Sequence, residues 1–271
     1  DRSHRVLSAL GFVALSSACG GGAGDGELPD AGPSIDAQPD ARVARTVFGG
    51  DRPVTLSVPS TYVEGTPTPL VLALHGYGSE GEFMAYYAGV DLLFESEGFL
   101  MVAPDGTLDQ DGMRFWNGTD ACCDLFGAGV DDEAYLMGLL DDIAEDYTVD
   151  PARIYLIGYS NGAFMSHRLA CHHADRFAAM VSMSGATYAS AADCAPSEPV
   201  SVLQLHGDMD PTILYGGGTI TVENAPVAYP AARATFDLWA ASNGCGDAAT
   251  DGPARDLVGS LDGNETAVLE A

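Results

Sequence analysis

The stretch Ile154-Tyr155-Leu156-Ile157-Gly158-Tyr159-Ser160-Asn161-Gly162-Ala163 joins a short apolar run to a serine set between two glycines. The run Ile154–Ile157 reads as a buried strand, and Gly162–Cys171 reads as a helix. A serine at such a join occupies a sharp strand-to-helix turn that projects its hydroxyl outward. Glycines on both sides let the strand and helix backbones approach where a Cβ would clash. The helix start also favours negative charge that develops beside it. A bare G-x-S-x-G is weak evidence. With a strand before it and a helix after it, the pattern predicts that Ser160 is a nucleophile for acyl transfer.

Working outward, strand and helix signals alternate. Arg52–Val58 alternates polar and apolar like an edge strand, while Leu70–Leu74 and Phe99–Ala103 are continuous apolar runs typical of buried strands. In Asp131–Tyr147, the residues Leu136, Leu140, Ile143 and Tyr147 share one helical face. Phe177–Met183 and Val200–Leu205 read as strands, and Pro230–Asn243 as a helix closed by Gly244. This order predicts an α/β fold: a mostly parallel central sheet with helices on both faces.

Two further segments end predicted strands. Leu74-His75-Gly76-Tyr77-Gly78 follows the first buried strand, and His206-Gly207-Asp208-Met209-Asp210 follows the last. A carboxylate in the second segment suits the role of orienting a histidine. From the residues alone, Asp208 and Asp210 compete for it. Asp131 and Asp132 read as acidic residues at a helix N-terminus rather than an acid pair or calcium ligands. Trp116 is read either as lining a substrate cleft or as a buried structural residue. No Cys/His cluster has zinc spacing, so neither a metal nor a cofactor is expected.

Composition limits the partners. The 271 residues carry a net charge of -28, and all 11 basic residues are arginine. Such a field repels phosphate backbones, which argues against nucleic acid as a partner. Residues 1–19 read as an export signal: Arg2 and Arg5 precede a short apolar run, Val6–Ala18. Ser16-Ser17-Ala18-Cys19 resembles a bacterial lipoprotein box, which implies lipidation at Cys19 and a membrane tether. It departs from that pattern at Ser16, where an aliphatic residue is usual. Residues 20–45 are a flexible acidic linker with Pro-Asp-Ala pieces at 29–31 and 39–41. The remainder, 46–271, is the folded domain. An exported domain favours cysteine pairing. Excluding Cys19 leaves an odd number of cysteines: Cys122, Cys123, Cys171, Cys194 and Cys245. Adjacent Cys122 and Cys123 would be strained as a pair, so one of them is expected to reach Cys171 or Cys194.

The run from Val149 to Ala163 resembles the family of extracellular polyhydroxybutyrate depolymerases and feruloyl or acetylxylan esterases, within the α/β-hydrolase superfamily. Trp116-Asn117, Cys122-Cys123, Val130-Asp131-Asp132, Leu169-Ala170-Cys171 and Phe177-Ala178-Ala179 extend the resemblance over most of residues 46–245. It implies a Ser-Asp-His triad that hydrolyses carboxylic esters without a metal. The family's H-G-x-x-D pattern lands on Asp210. Its oxyanion hole falls on the backbone amides of Tyr77 and Asn161. The implied substrate is an ester, polymeric in this family: polyhydroxybutyrate, or feruloyl or acetyl groups on xylan.

The resemblance also implies a histidine in a Gly-Gly-x-His segment beyond Cys245, together with a late cysteine. No histidine follows His206. The expectation is a sequence that stops short of its catalytic histidine, and hence a weakly active or inactive chain, rather than a decayed enzyme. His167 lies about two helical turns, roughly 10 Å, past Ser160 and is too far to serve it. A lipase or peptidase on the same fold, or a non-catalytic binding module, are the rival readings. Acyl-chain preference separates the first and active-serine labelling the second.

Overall fold

A computed structural model describes residues 12–17, 45–246, 249–257 and 263–271, with only the backbone described for 12–17. The sheet strands are β1 (Phe12–Ser17), β2 (Thr68–Leu74), β3 (Leu100–Val102), β4 (Val149–Tyr159), β5 (Ala179–Met183) and β6 (Ser201–Gly207). A hairpin follows, β7 (Gly218–Val222) with β8 (Ala225–Tyr229), and then β9 (Thr250–Arg255) and β10 (Thr266–Glu270). The helices are α1 (Gly81–Tyr87), α2 (Val90–Glu97), α3 (Asp132–Asp146), α4 (Asn161–His172) and α5 (Ala232–Ser242).

The eight-stranded sheet runs β9-β10-β1-β6-β5-β4-β2-β3. Strands β3, β2, β4, β5 and β6 are mutually parallel, each paired with its neighbour. The period-2 geometry of a strand explains how both faces are covered. Leu70, Leu72 and Leu74 of β2 and Ile154 and Leu156 of β4 face one core, shared with Leu136, Leu140 and Ile143 of α3, Leu169 of α4 and Trp239 of α5. The alternate positions Ala73, Ile157 and Tyr159 face the opposite side, against Met84 and Ala85 of α1 and Val90 of α2. This is the α/β fold expected from the sequence, a mostly parallel central sheet with helices on both faces.

Most predicted elements form within a residue or two of their expected ends. Asp131 caps α3, its side chain accepting the amide of Ala134 at 2.9 Å. Gly244 ends α5 at φ +71, a conformation glycine adopts without cost. Several regions differ, among them β4, which starts five residues before the predicted Ile154, and the unpredicted hairpin of β7 and β8. Only Val54–Thr55 of the predicted edge strand is strand, paired with Val47–Phe48, and Ser57 makes a single bridge to Met101. The helices α1 and α2 carry no strong periodic signal. Phe12–Ser17, read from sequence as part of an export leader, pairs antiparallel to β6 and parallel to β10. An apolar run and an open strand edge satisfy each other's backbone groups in this way. Cys19 lies outside the described residues, as does nearly all of the linker.

The cysteine expectations need correction. Cys122 bonds to Cys123, and Cys171 bonds to Cys194, so neither adjacent cysteine reaches the other pair. Cys171 lies in the last turn of α4 and Cys194 follows the loop after β5, which places their Cα atoms 4.8 Å apart, within bonding range. None of the described cysteines is free, so the odd one expected from counting is not found.

Candidate active site

The carboxyl ends of β4, β5 and β6 place the site. Ser160, directly after β4, has φ 50 and ψ -118, a region where a non-glycine residue is strained. Its backbone N–H donates to the carbonyl of Met183 at the end of β5, at 2.8 Å. The flanking glycines are sterically required. A Cβ on Gly158 would strike the Gly162 carbonyl, and one on Gly162 would strike the carbonyl of Leu74. A Cβ on Gly76 would come within 3.4 Å of the Ser160 Cβ, so the loop after β2 lies directly against the serine.

That loop carries Tyr77, and α4 begins with Asn161. Among the described residues, no hydrogen bond engages the backbone N–H of either one. The first amides of a helix have no intrahelical acceptor, so an open N–H at Asn161 follows from its position. The Tyr77 hydroxyl donates to the Asp109 carboxylate. Burial and that acidic neighbour push the phenol up to about 12.

The Asn161 side chain is wholly buried. Its Oδ1 accepts the Trp116 N–H at 2.7 Å, its Nδ2 donates to the Trp116 carbonyl at 2.7 Å, and Nδ2 also lies 3.7 Å from Cys122 Sγ. Trp116 is itself 0% exposed, with its ring 5.2 Å from His75 and beneath the Arg52 guanidinium. Of the two sequence readings for Trp116, lining the substrate cleft is therefore not borne out. A ring sealed between two packed side chains offers no surface to a ligand.

Asp210 and Asp208 separate clearly. Asp208 is exposed. Asp210 is half-buried, and its Oδ1 accepts the amides of Thr212 and Ile213 at 2.9 and 3.0 Å. This fixes the carboxylate and leaves Oδ2 4.0 Å from His206 Nε2. Its charge is felt at Tyr159, the neighbour of Ser160. Ser160 and Asp210 thus both follow the carboxyl ends of parallel strands, with β5 between them.

All the described histidines are engaged. His75 contacts the Gly76 carbonyl at 2.7 Å and accepts the Gly106 amide at 2.9 Å. His206 Nε2 is 2.7 Å from the Ile213 carbonyl. His167 accepts the Trp239 indole N–H on Nδ1, so its proton sits on Nε2 and points to Ser182 Oγ at 3.0 Å. Burial drives the His167 pKa down to about 3. His172 and His173 flank Glu133 with Arg168. Burial would raise the Glu133 pKa, but these three partners outweigh it and bring it to about 2.

Sequence reasoning missed a buried network beside the site. Asp132 binds Arg52 at 2.6 Å and the amide of Asn117 at 2.7 Å, while Arg52 lies 3.5 Å over the Tyr135 ring. Burial raises the Asp132 pKa against the pull of these donors. An acidic residue one place inside a helix gave no signal that it would turn inward.

The chain is similar in sequence to known esterases. Feruloyl esterase B of Piromyces equi is 29% identical over 201 residues, covering 72% of this chain and 36% of that protein. The bifunctional acetylxylan esterase/xylanase XynS20E of Neocallimastix patriciarum is 27% identical over 167 residues, covering 62% of this chain and 22% of that protein. NocK of Nocardia uniformis subsp. tsuyamanensis is 30% identical over 163 residues, covering 60% and 45%. The chain therefore spans less than half the length of each of these three relatives. Among solved structures, the acetyl xylan esterase from Aspergillus awamori is 22% identical with a TM-score of 0.41, covering 50% of this chain and 47% of that one. Residues 56–236, more than half the chain, match the family described as Esterase PHB depolymerase. The chain belongs to that esterase family.

Proposed function

We propose that the chain is the catalytic domain of an exported serine esterase that cleaves carboxylic esters through an acyl-enzyme. The observation that carries this reading is the strained bend at Ser160, with two open amides beside it and an anchored carboxylate two strands along, after β6. In the proposed reaction, Ser160 Oγ attacks the ester carbonyl carbon and its proton passes to an imidazole. The amides of Tyr77 and Asn161 hold the resulting oxyanion, as in other acyl-transfer sites. Collapse breaks the ester C–O bond, and the leaving alkoxide takes the proton from the imidazolium. Water then attacks the acyl-serine with the same imidazole as base, which restores Ser160 and releases the acid.

Asp210 orients that imidazole and stabilises its charged form. The reading requires an imidazole beside Asp210, and the described histidines are committed to other partners. The proposed substrate is an ester carried on a polymer, polyhydroxybutyrate or an acyl-substituted xylan, by analogy with the relatives.

The test is labelling of the full-length gene product with a fluorophosphonate, followed by peptide mass spectrometry. The expected adduct is on Ser160 and is lost in Ser160→Ala. A full-length protein that folds but stays unlabelled at this residue would overturn the reading.

A further inference from the structure

We infer that the Asn161 side chain is a positioning residue that fixes the oxyanion-binding amide by clamping the Trp116 backbone. This inference rests on the esterase reading above. Its starting point is a conflict at the head of α4. A helix is ordinarily held at its start by the side chain of its N-cap residue, which accepts one of the open amides. Here the N-cap residue is Ser160, and its side chain makes no capping hydrogen bond. A nucleophile has to keep its hydroxyl free, so the residue that would normally anchor this turn is unable to do so. The following residue still has to hold its own N–H in place, because oxyanion stabilisation depends on donors fixed before reaction.

The clamp resolves the conflict. Asn161 spends its carbonyl on the Trp116 N–H and its amide on the Trp116 C=O, closing a two-point pairing with one distant residue. Rotation of the first turn of α4 would break both bonds inside a wholly buried environment, where unpaired polar groups are costly. The partner loop is itself immobilised. Asn117 is held by Asp132 through its amide, and Arg168, two turns further along α4, donates to the carbonyls of Asn117 and Gly118. Gly118 lies so close to α4 that a Cβ would come within 3.0 Å of Met165 N and Phe164 Cβ. Helix and loop are therefore stapled at two points, and the Asn161 N–H is left unengaged.

The experiment compares Asn161→Ala, Asn161→Asp and Asn161→Gln with wild type in the full-length gene product. It reads kcat and KM on a soluble aryl ester, inhibition by an alkyl boronic acid that mimics the tetrahedral species, and fluorophosphonate labelling. The expected result for Asn161→Ala and Asn161→Asp is a fall in kcat of about 10- to 100-fold, the scale of a small misplacement at a reacting centre. KM should stay within about twofold, and boronate inhibition should weaken in step with kcat. Asn161→Gln keeps both donor and acceptor and should recover part of the loss. If Asn161→Ala does not fold, the isosteric Asn161→Asp carries the same test. An unchanged kcat, or a loss confined to KM with boronate inhibition intact, would overturn the inference. Wild type unlabelled at Ser160 would instead defeat the esterase reading beneath it.

Discussion

The amide of Ser160 donates to the carbonyl of Met183 at 2.8 Å, locking the bend after β4 to the end of β5. The same step repeats one strand over, where the Ser184 amide donates to Leu205 of β6 at 2.8 Å. Ser184, like Ser160, sits at φ 50. These two steps set the lateral offset between the serine and the loop that carries Asp210. Backbone pairing, not side-chain contact, therefore sets the spacing of the proposed catalytic groups.

The strain at Ser160 leads to the first prediction. Glycine adopts this backbone conformation freely, so Ser160→Gly should raise stability by about 1 kcal/mol while abolishing labelling and hydrolysis. Thermal unfolding of the variant beside wild type checks this. A lower Tm would mean that the bend is not held against a backbone preference.

Asp210 and Asp208 are separated by a paired assay. Asp210→Asn retains an acceptor for Thr212 and Ile213 but loses the charge, and kcat should fall by about 10³- to 10⁴-fold in the full-length enzyme. Asp208→Asn, on an exposed side chain, should leave kcat within about twofold. The reverse pattern would assign the acid to Asp208.

His167 makes a prediction about acid stability. Its folded-state pKa is lowered from 6.5 to about 3 by burial. Below pH 6.5 the unfolded chain takes up a proton that the folded chain refuses. Stability should therefore fall steadily as pH drops from about 6.5 toward 3, and level off for this group below that. His167→Gln should flatten the slope of Tm against pH across this window. An identical slope in the variant would show that other groups cause the acid lability.

The buried pair of Arg52 and Asp132 gives a stability prediction. Asp132→Ala leaves Arg52 and the Asn117 amide without their acceptor and should cost about 3–5 kcal/mol by denaturant unfolding. A cost below about 1 kcal/mol would mean that the network is dispensable.

Much of this was legible in the sequence because the signals were local and dense. Apolar runs ending in glycine located β2, β4 and β6, and G-x-S-x-G located the bend, since each depends on residues a few positions apart. What escaped depended on distant partners or unusual backbone. The hairpin of β7 and β8 turns through Glu223 and Asn224 at φ 48 and 67. A glutamate in that conformation gives no turn signal of the kind an Asn-Gly pair would give. Helices α1 and α2 expose Phe83, Tyr86, Tyr87 and Leu92, so their apolar residues do not trace a single buried stripe. The clamp between Asn161 and Trp116 joins residues 45 positions apart, and neither residue type announces the other.

The central claim is that the amides of Tyr77 and Asn161 receive the oxygen that becomes charged when Ser160 is acylated. A crystal structure of the full-length protein carrying a phosphonate on Ser160 tests it most directly. The account predicts the phosphonyl oxygen within about 3 Å of both backbone nitrogens, the range of a normal hydrogen bond. An adduct whose oxygen points to solvent, with both amides bonded elsewhere, would contradict it.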